Sequence, residues 1–142
     1  MSFRGLRVLV AEDNLLEAEM VEHALGREGC EVVGPVAHLA QAVELAMKGE
    51  LDGALLDVNL AGVNCFAAAW RLQERRIPFA FMSAYPRSYI PGPGPLRGVH
   101  FIAKPLNLTE LLHTVAGFVR PDAPRPAKQK TERRLKRRQL NI

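Results

Sequence analysis

The sequence predicts an α/β fold in which a parallel sheet is covered by helices on both faces. Three observations predict it. Short apolar runs alternate with segments of helical periodicity from residue 7 to residue 119. Runs such as Val8-Leu9-Val10-Ala11 and Ala54-Leu55-Leu56 are apolar at consecutive positions, which fits strands buried on both faces. The helical segments between them have the length of the crossovers that join parallel strands into a doubly wound sheet.

The elements follow in order. Arg7–Ala11 reads as a strand. Asn14 caps a helix over about 15–28, with Leu16, Met20 and Ala24 on one face and Gly29 as its stop. Glu31–Val36 is a short second strand. Leu39–Met47 repeats Leu39, Val43 and Ala46 at helical spacing and ends at Gly49. Ala54–Leu56 is the third strand, and Asn64–Arg75 is helical, with Phe66, Trp70 and Gln73 about one turn apart. Phe79–Met82 and Val99–Ala103 are the fourth and fifth strands. Asn107-Leu108-Thr109-Glu110 is a capping box that opens a helix to about Val119.

One helix of the alternation is missing. Ala84–Gly98 contains Pro86, Pro91, Pro93 and Pro95, with Gly92 and Gly94 between them. Proline removes a backbone donor and clashes with the preceding turn, so Ile90–Pro95 cannot be helical. A long loop is expected here, with at most a turn or so before it; loops of this length are often functional or mobile.

A chain of 142 residues, 48% of them hydrophobic, makes one domain with a real core. Met1-Ser2-Phe3-Arg4-Gly5 leads directly into a strand with nothing like a signal peptide, and no apolar stretch approaches the ~18 residues of a membrane span. A cytoplasmic protein is expected, with Cys30 and Cys65 as reduced, partly buried thiols. The net charge of +4 belongs to the end of the chain. Arg125, Lys128, Lys130, Arg133, Arg134, Lys136, Arg137 and Arg138 face only Asp122 and Glu132 there. Residues 1–120 therefore read as the folded domain. Residues 121–142 read as a proline-containing basic tail, disordered or a marginal helix.

Chemistry concentrates at the strand ends. Glu12 and Asp13 follow the first strand, Asp57 the third, Ser83 and Ala84 the fourth, and Lys104-Pro105 the fifth. In open α/β sheets, ligands bind just outside the carboxyl ends of the strands. Three acids delivered to one edge repel one another unless a cation sits among them. Each residue has a task if Asp57 accepts a phosphoryl group. A carboxylate oxygen can attack phosphorus to form an acyl phosphate. Magnesium held by Asp13, Asp57 and, through water, Glu12 would neutralise the approaching anion. The Lys104 ammonium and Ser83 hydroxyl would bind phosphoryl oxygens, and the small Ala84 would let backbone N–H approach. Pro105 suggests a cis bond.

These motifs, in this order, resemble the receiver domain of two-component response regulators over about residues 5–120. The resemblance implies a flavodoxin-like five-stranded sheet of order 2-1-3-4-5, with the fourth helix shortened or replaced by a loop. It implies that Asp57 takes phosphate from a histidine kinase or phosphotransfer protein. It implies that Glu12, Asp13, Asp57 and the backbone carbonyl of Asn59 bind Mg2+. Ser83 would then move toward the phosphoryl group and Phe101 rotate inward, while Tyr85 packs over the site or simply covers the loop. Ala61 stands where receivers commonly have proline. Phe81-Met82-Ser83-Ala84-Tyr85 partly resembles the stretch that defines the FAT GUY receivers, often stand-alone and paired with HWE-type kinases.

Two other functions stay open. An aspartate-nucleophile phosphatase commonly needs a second aspartate two residues after the nucleophile, where this chain has Asn59. The basic tail could contact nucleic-acid phosphates, although it carries no aromatic residue for stacking on bases. His23, His38, His100 and His113 have no ligand spacing and read as surface or boundary residues, none of them a phosphodonor.

Overall fold

The computed structural model describes residues 3–90, 96 and 98–118. Seven strands and four helices occur among them. They are β1 (Arg7–Ala11), α1 (Leu15–Arg27), β2 (Glu31–Val36), α2 (Leu39–Lys48), β3 (Gly53–Asp57), β4 (Asn59–Leu60), β5 (Val63–Asn64), α3 (Phe66–Glu74), β6 (Phe79–Ser83), β7 (His100–Ala103) and α4 (Leu108–Ala116). Five strands form one parallel sheet of order β2-β1-β3-β6-β7. Since β6 and β7 are the fourth and fifth strands of the sequence reading, this is the expected 2-1-3-4-5 order.

Alternation along each strand divides the core. Leu9, Ala11, Ala54, Leu56, Phe79 and Phe81 face α2 and α3. Val8, Val10, Leu55, Ala80, Met82 and Ile102 face α1 and α4. Every residue of β3 and β6 is buried, as strands covered on both faces must be. Phe81, fully buried, meets both Phe66 and Phe79 edge to face.

Caps set the helix starts as the sequence requires. Asn14 Oδ1 accepts from Glu17 N at 3.0 Å, and Asn107 Oδ1 accepts from Glu110 N at 3.0 Å. Arg75 closes the far end of α2 by donating to the carbonyls of Ala46 and Gly49, each at 2.7 Å.

Helix faces depart from the reading. In α1 the sheet takes Ala18, Val21, Ala24 and Leu25, leaving Leu16 and Met20 exposed. In α3 it takes Phe66, Ala68, Ala69 and Leu72, and Trp70 points out. The α3 helix also begins at Phe66, because Asn64 is committed to the antiparallel β4–β5 hairpin. That hairpin was not foreseen. Its two central residues, Ala61 and Gly62, have φ of 50° and 87°, the mirror-image turn that suits a two-residue hairpin.

Between β6 and β7 the described residues form a single 3-10 turn, Arg87–Tyr89, in place of a helix. Residues 91–95 of the proline-rich loop, and the tail from 119 onward, lie outside the described residues. The α4 helix ends at Ala116, before the expected Val119. All four histidines are exposed, and among the described residues no helix is long and apolar enough to cross a membrane.

Candidate functional site

Sheet register brings the chemistry together. Ala11 pairs with Leu56, Asp57 with Met82, and Ser83 with Ala103, so Glu12, Asp57, Ser83 and Lys104 emerge side by side at one edge. Lys104 N donates to the Ser83 carbonyl at 2.8 Å, which locks the ends of β6 and β7 together. The Lys104–Pro105 peptide is cis, as its sequence suggested.

Lys104 is the hub. Its Nζ donates to Glu12 Oε1 at 2.7 Å, Asp57 Oδ2 at 2.8 Å and Glu17 Oε2 at 2.5 Å. The side chains of Glu12, Asp57 and Lys104 are nearly closed to solvent, and Glu17 is about a third open, at 30%. The other oxygens of the two buried acids also have partners. Glu12 Oε2 accepts from Asn14 N at 3.1 Å, and Asp57 Oδ1 accepts from Asn59 N at 3.1 Å.

Such crowding shifts proton affinities. Burial, and then the neighbouring Asp57 carboxylate, raise Glu12 to about 8 against the opposing pull of Lys104 and the Asn14 N–H. Burial works against the Lys104 ammonium, but its hydrogen bonds to Asp57, Glu12 and Glu17 outweigh it and hold the amine above its usual range. One ammonium thus serves three acids.

The acids group differently from the sequence reading. Oxygens of Glu12, Glu17 and Asp57 lie within 4.8 Å of one another. Asp13 is exposed and its Oδ2 accepts from Ala61 N at 3.0 Å, which ties the β1 end to the β4–β5 turn. Glu17 was missed, and a signal existed: it stands three residues after the Asn14 cap, on the turn that faces the site. Asn59 follows Asp57 by two residues and opens the hairpin, with its own Oδ1 accepting from Gly62 N at 2.9 Å.

The remaining candidates form a shell beyond Asp57. Ser83 is buried, its hydroxyl accepting from Tyr85 N at 2.9 Å, and Ala84 is exposed beside it. Tyr85 is exposed and its ring lies 4.9 Å from that of Tyr89. Both rings line a cavity of about 310 Å³ with Val58, Asn59, Asn64 and Phe66. Phe101 is half-buried on β7, with the Arg87 guanidinium 6.0 Å from its ring centre.

The family model described as the response regulator receiver domain matches residues 8–116. The chain belongs to the response regulator receiver family. Among the relatives of this receiver is the transcriptional regulatory protein TcrA of Mycobacterium tuberculosis, 32% identical over 126 residues, which cover 86% of this chain and 49% of that protein. The receiver thus spans about half the length of the curated relatives it matches. A solution structure of the Erythrobacter litoralis PhyR receiver domain superposes with a TM-score of 0.71 at 25% identity, covering 87% of this chain and 97% of that one. The receiver domain of the Pseudomonas aeruginosa sensor kinase PA1611, solved with a magnesium ion in its active-site cleft, has the same fold. Its TM-score is 0.64 at 24% identity, covering 80% of this chain and 97% of that one.

Proposed function

We infer that this receiver accepts a phosphoryl group on Asp57 from the phosphohistidine of a histidine kinase and signals through protein contacts. The observation that carries this reading is the Lys104 ammonium on Asp57 Oδ2 at 2.8 Å, inside a buried acidic cluster at the carboxyl edge of the sheet. An Asp57 oxygen attacks phosphorus, the P–N bond to the imidazole breaks, and the imidazole leaves with that electron pair. Lys104 is within reach to transfer a hydrogen bond from the carboxylate to a phosphoryl oxygen. Ser83 can do the same once its hydroxyl rotates away from Tyr85, whose freed N–H then changes partner. Phe101 and Tyr85 are the side chains through which this rearrangement would reach the surface.

The donor set suits magnesium. It consists of hard carboxylate oxygens from three segments that share a single ammonium. Glu12, Asp13, Asp57 and the Asn59 backbone carbonyl would hold the ion. When bound, it offsets the repulsion between Asp57 and the incoming phosphoryl oxygens.

Among the described residues between β6 and β7, the 3-10 turn Arg87–Tyr89 supports placement with the FAT GUY receivers and an HWE-type kinase as donor. A cytoplasmic location agrees with that partner. Asn59, which cannot serve as a general acid, leaves the phosphatase alternative without its proton donor.

The test is phosphotransfer from phosphorylated histidine kinases, with the modified residue found by mass spectrometry. Label on Asp57, absent from Asp57→Asn, is expected. Equal labelling of wild type and variant would refute the assignment.

A further inference from the structure

A glutamate at the third position of a helix ordinarily turns back to the backbone N–H of the cap residue. Glu17 holds that position in α1, with Asn14 as the cap. Here the Asn14 N–H donates instead to Glu12 Oε2 at 3.1 Å. The Glu17 carboxylate is thereby released from its usual local partner, and its Oε2 lies 2.5 Å from Lys104 Nζ.

A lysine ammonium has three donors. All three are engaged at this site, by acids from three separate segments: Glu12 after β1, Glu17 in α1 and Asp57 at the end of β3. Two of those acids have other duties in the proposed reaction. Asp57 becomes the acyl phosphate, and Glu12 is a candidate cation ligand. Glu17 is neither the phosphoacceptor nor one of the cation ligands named above. It reaches Lys104 from the rim, where its side chain is 30% exposed.

We propose that Glu17 is a positioning residue that anchors the Lys104 ammonium beside Asp57, leaving the other two donors to follow whatever group Asp57 carries. Lysine has a long, flexible stem and a compact charge. An unanchored Lys104 would divide its time between the site and solvent as phosphorylation removed its Asp57 contact. The anchoring belongs to the metal-free protein; its effect on a phosphoryl group rests on the Asp57 reading above.

The test uses the full chain labelled with 15N-lysine, with NMR detection of side-chain ammonium protons in the absence of metal. Lys104→Met assigns the signal. Wild type is expected to give a protected Lys104 ammonium. Its exchange should quicken roughly tenfold in Glu17→Gln, the factor implied by losing one charge-assisted hydrogen bond. Glu17→Asp keeps the charge but shortens the reach, so it should also lose protection. Glu19→Gln, an exposed neighbour on α1, should keep it. With magnesium and beryllium fluoride added as a phosphoryl mimic, Glu17→Gln should bind the mimic roughly tenfold more weakly than wild type on the same ground. A Lys104 ammonium as protected in Glu17→Gln as in wild type overturns the anchoring role, whatever the phosphotransfer result. Loss of protection in a protein whose Asp57 cannot be labelled supports the anchor and refutes only the phosphoacceptor reading.

Discussion

Replacing Lys104 with methionine tests how far the site depends on its one resident cation. Methionine fills much of the same volume without the charge, so the change isolates electrostatics from packing. Glu12, Glu17 and Asp57 would then face one another with oxygens within 4.8 Å and no ammonium between them. Removing one partner of a buried pair costs about 3–5 kcal/mol, because the remaining charge is left uncompensated. The side chains of Glu12 and Asp57 are 0% and 8% exposed, so water can do little to relieve them. A domain of this size is stable by about 5–15 kcal/mol, so the loss is a large share of the total. With a urea dependence of about 1–3 kcal/mol per molar, the unfolding midpoint should fall by roughly 2 M. The assay is urea unfolding followed by circular dichroism in the presence of a chelator. Adding Asp57→Asn to Lys104→Met should recover much of the loss, since it removes a buried carboxylate left without its ammonium partner. An excess of magnesium should do the same for the single variant. A variant with the wild-type midpoint, or a double variant no more stable than the single, would show that the ammonium does not hold these acids together.

Three further outcomes follow from the packing. A Cβ on Gly53 would lie 2.2 Å from a ring carbon of buried Phe118, so Gly53→Ala should lower stability by about 1–3 kcal/mol in the same assay. Phe81→Ala empties a fully buried position that meets two other rings, and thermal unfolding should report a loss of about 3–5 kcal/mol. Burial, and then the nearby Glu28 carboxylate, raise the Cys30 thiol to about 11. Only the thiolate reacts, so alkylation of Cys30 followed by mass spectrometry should be slow at pH 8 in the folded protein and accelerate as the pH approaches 11. A rate at pH 8 equal to that of the unfolded chain would contradict this burial.

Some of the site was legible because strand ends are fixed points. Once Leu55 and Leu56 are read as a strand buried on both faces, Asp57 must stand where the chain returns to water. The same logic places Glu12, Ser83 and Lys104, and the parallel register then aligns them. Glu17 was not legible in the same way. Its local motif predicts a turn back to its own cap, and only the Glu12 carboxylate arriving from β1 takes that N–H away. Asp13 illustrates the reverse. Its sequence position says cation ligand, and its contact is the Ala61 N–H of a hairpin that the sequence reading did not foresee.

By itself, then, the sequence determined the five strands of the parallel sheet, the Asn14 and Asn107 caps, the turn that precedes the proline-rich stretch, and which acids and which lysine end the strands. These follow from local rules: apolar runs, capping side chains, and proline's missing donor. The tertiary structure decided which face of each helix is inside. Both α1 faces carry apolar residues at helical spacing, and the sheet selects Ala18, Val21 and Leu25, leaving Leu16 and Met20 in solvent. It also decided that three carboxylates from three segments share one ammonium. That arrangement depends on distances between segments far apart in the chain, and only a closed core fixes those distances.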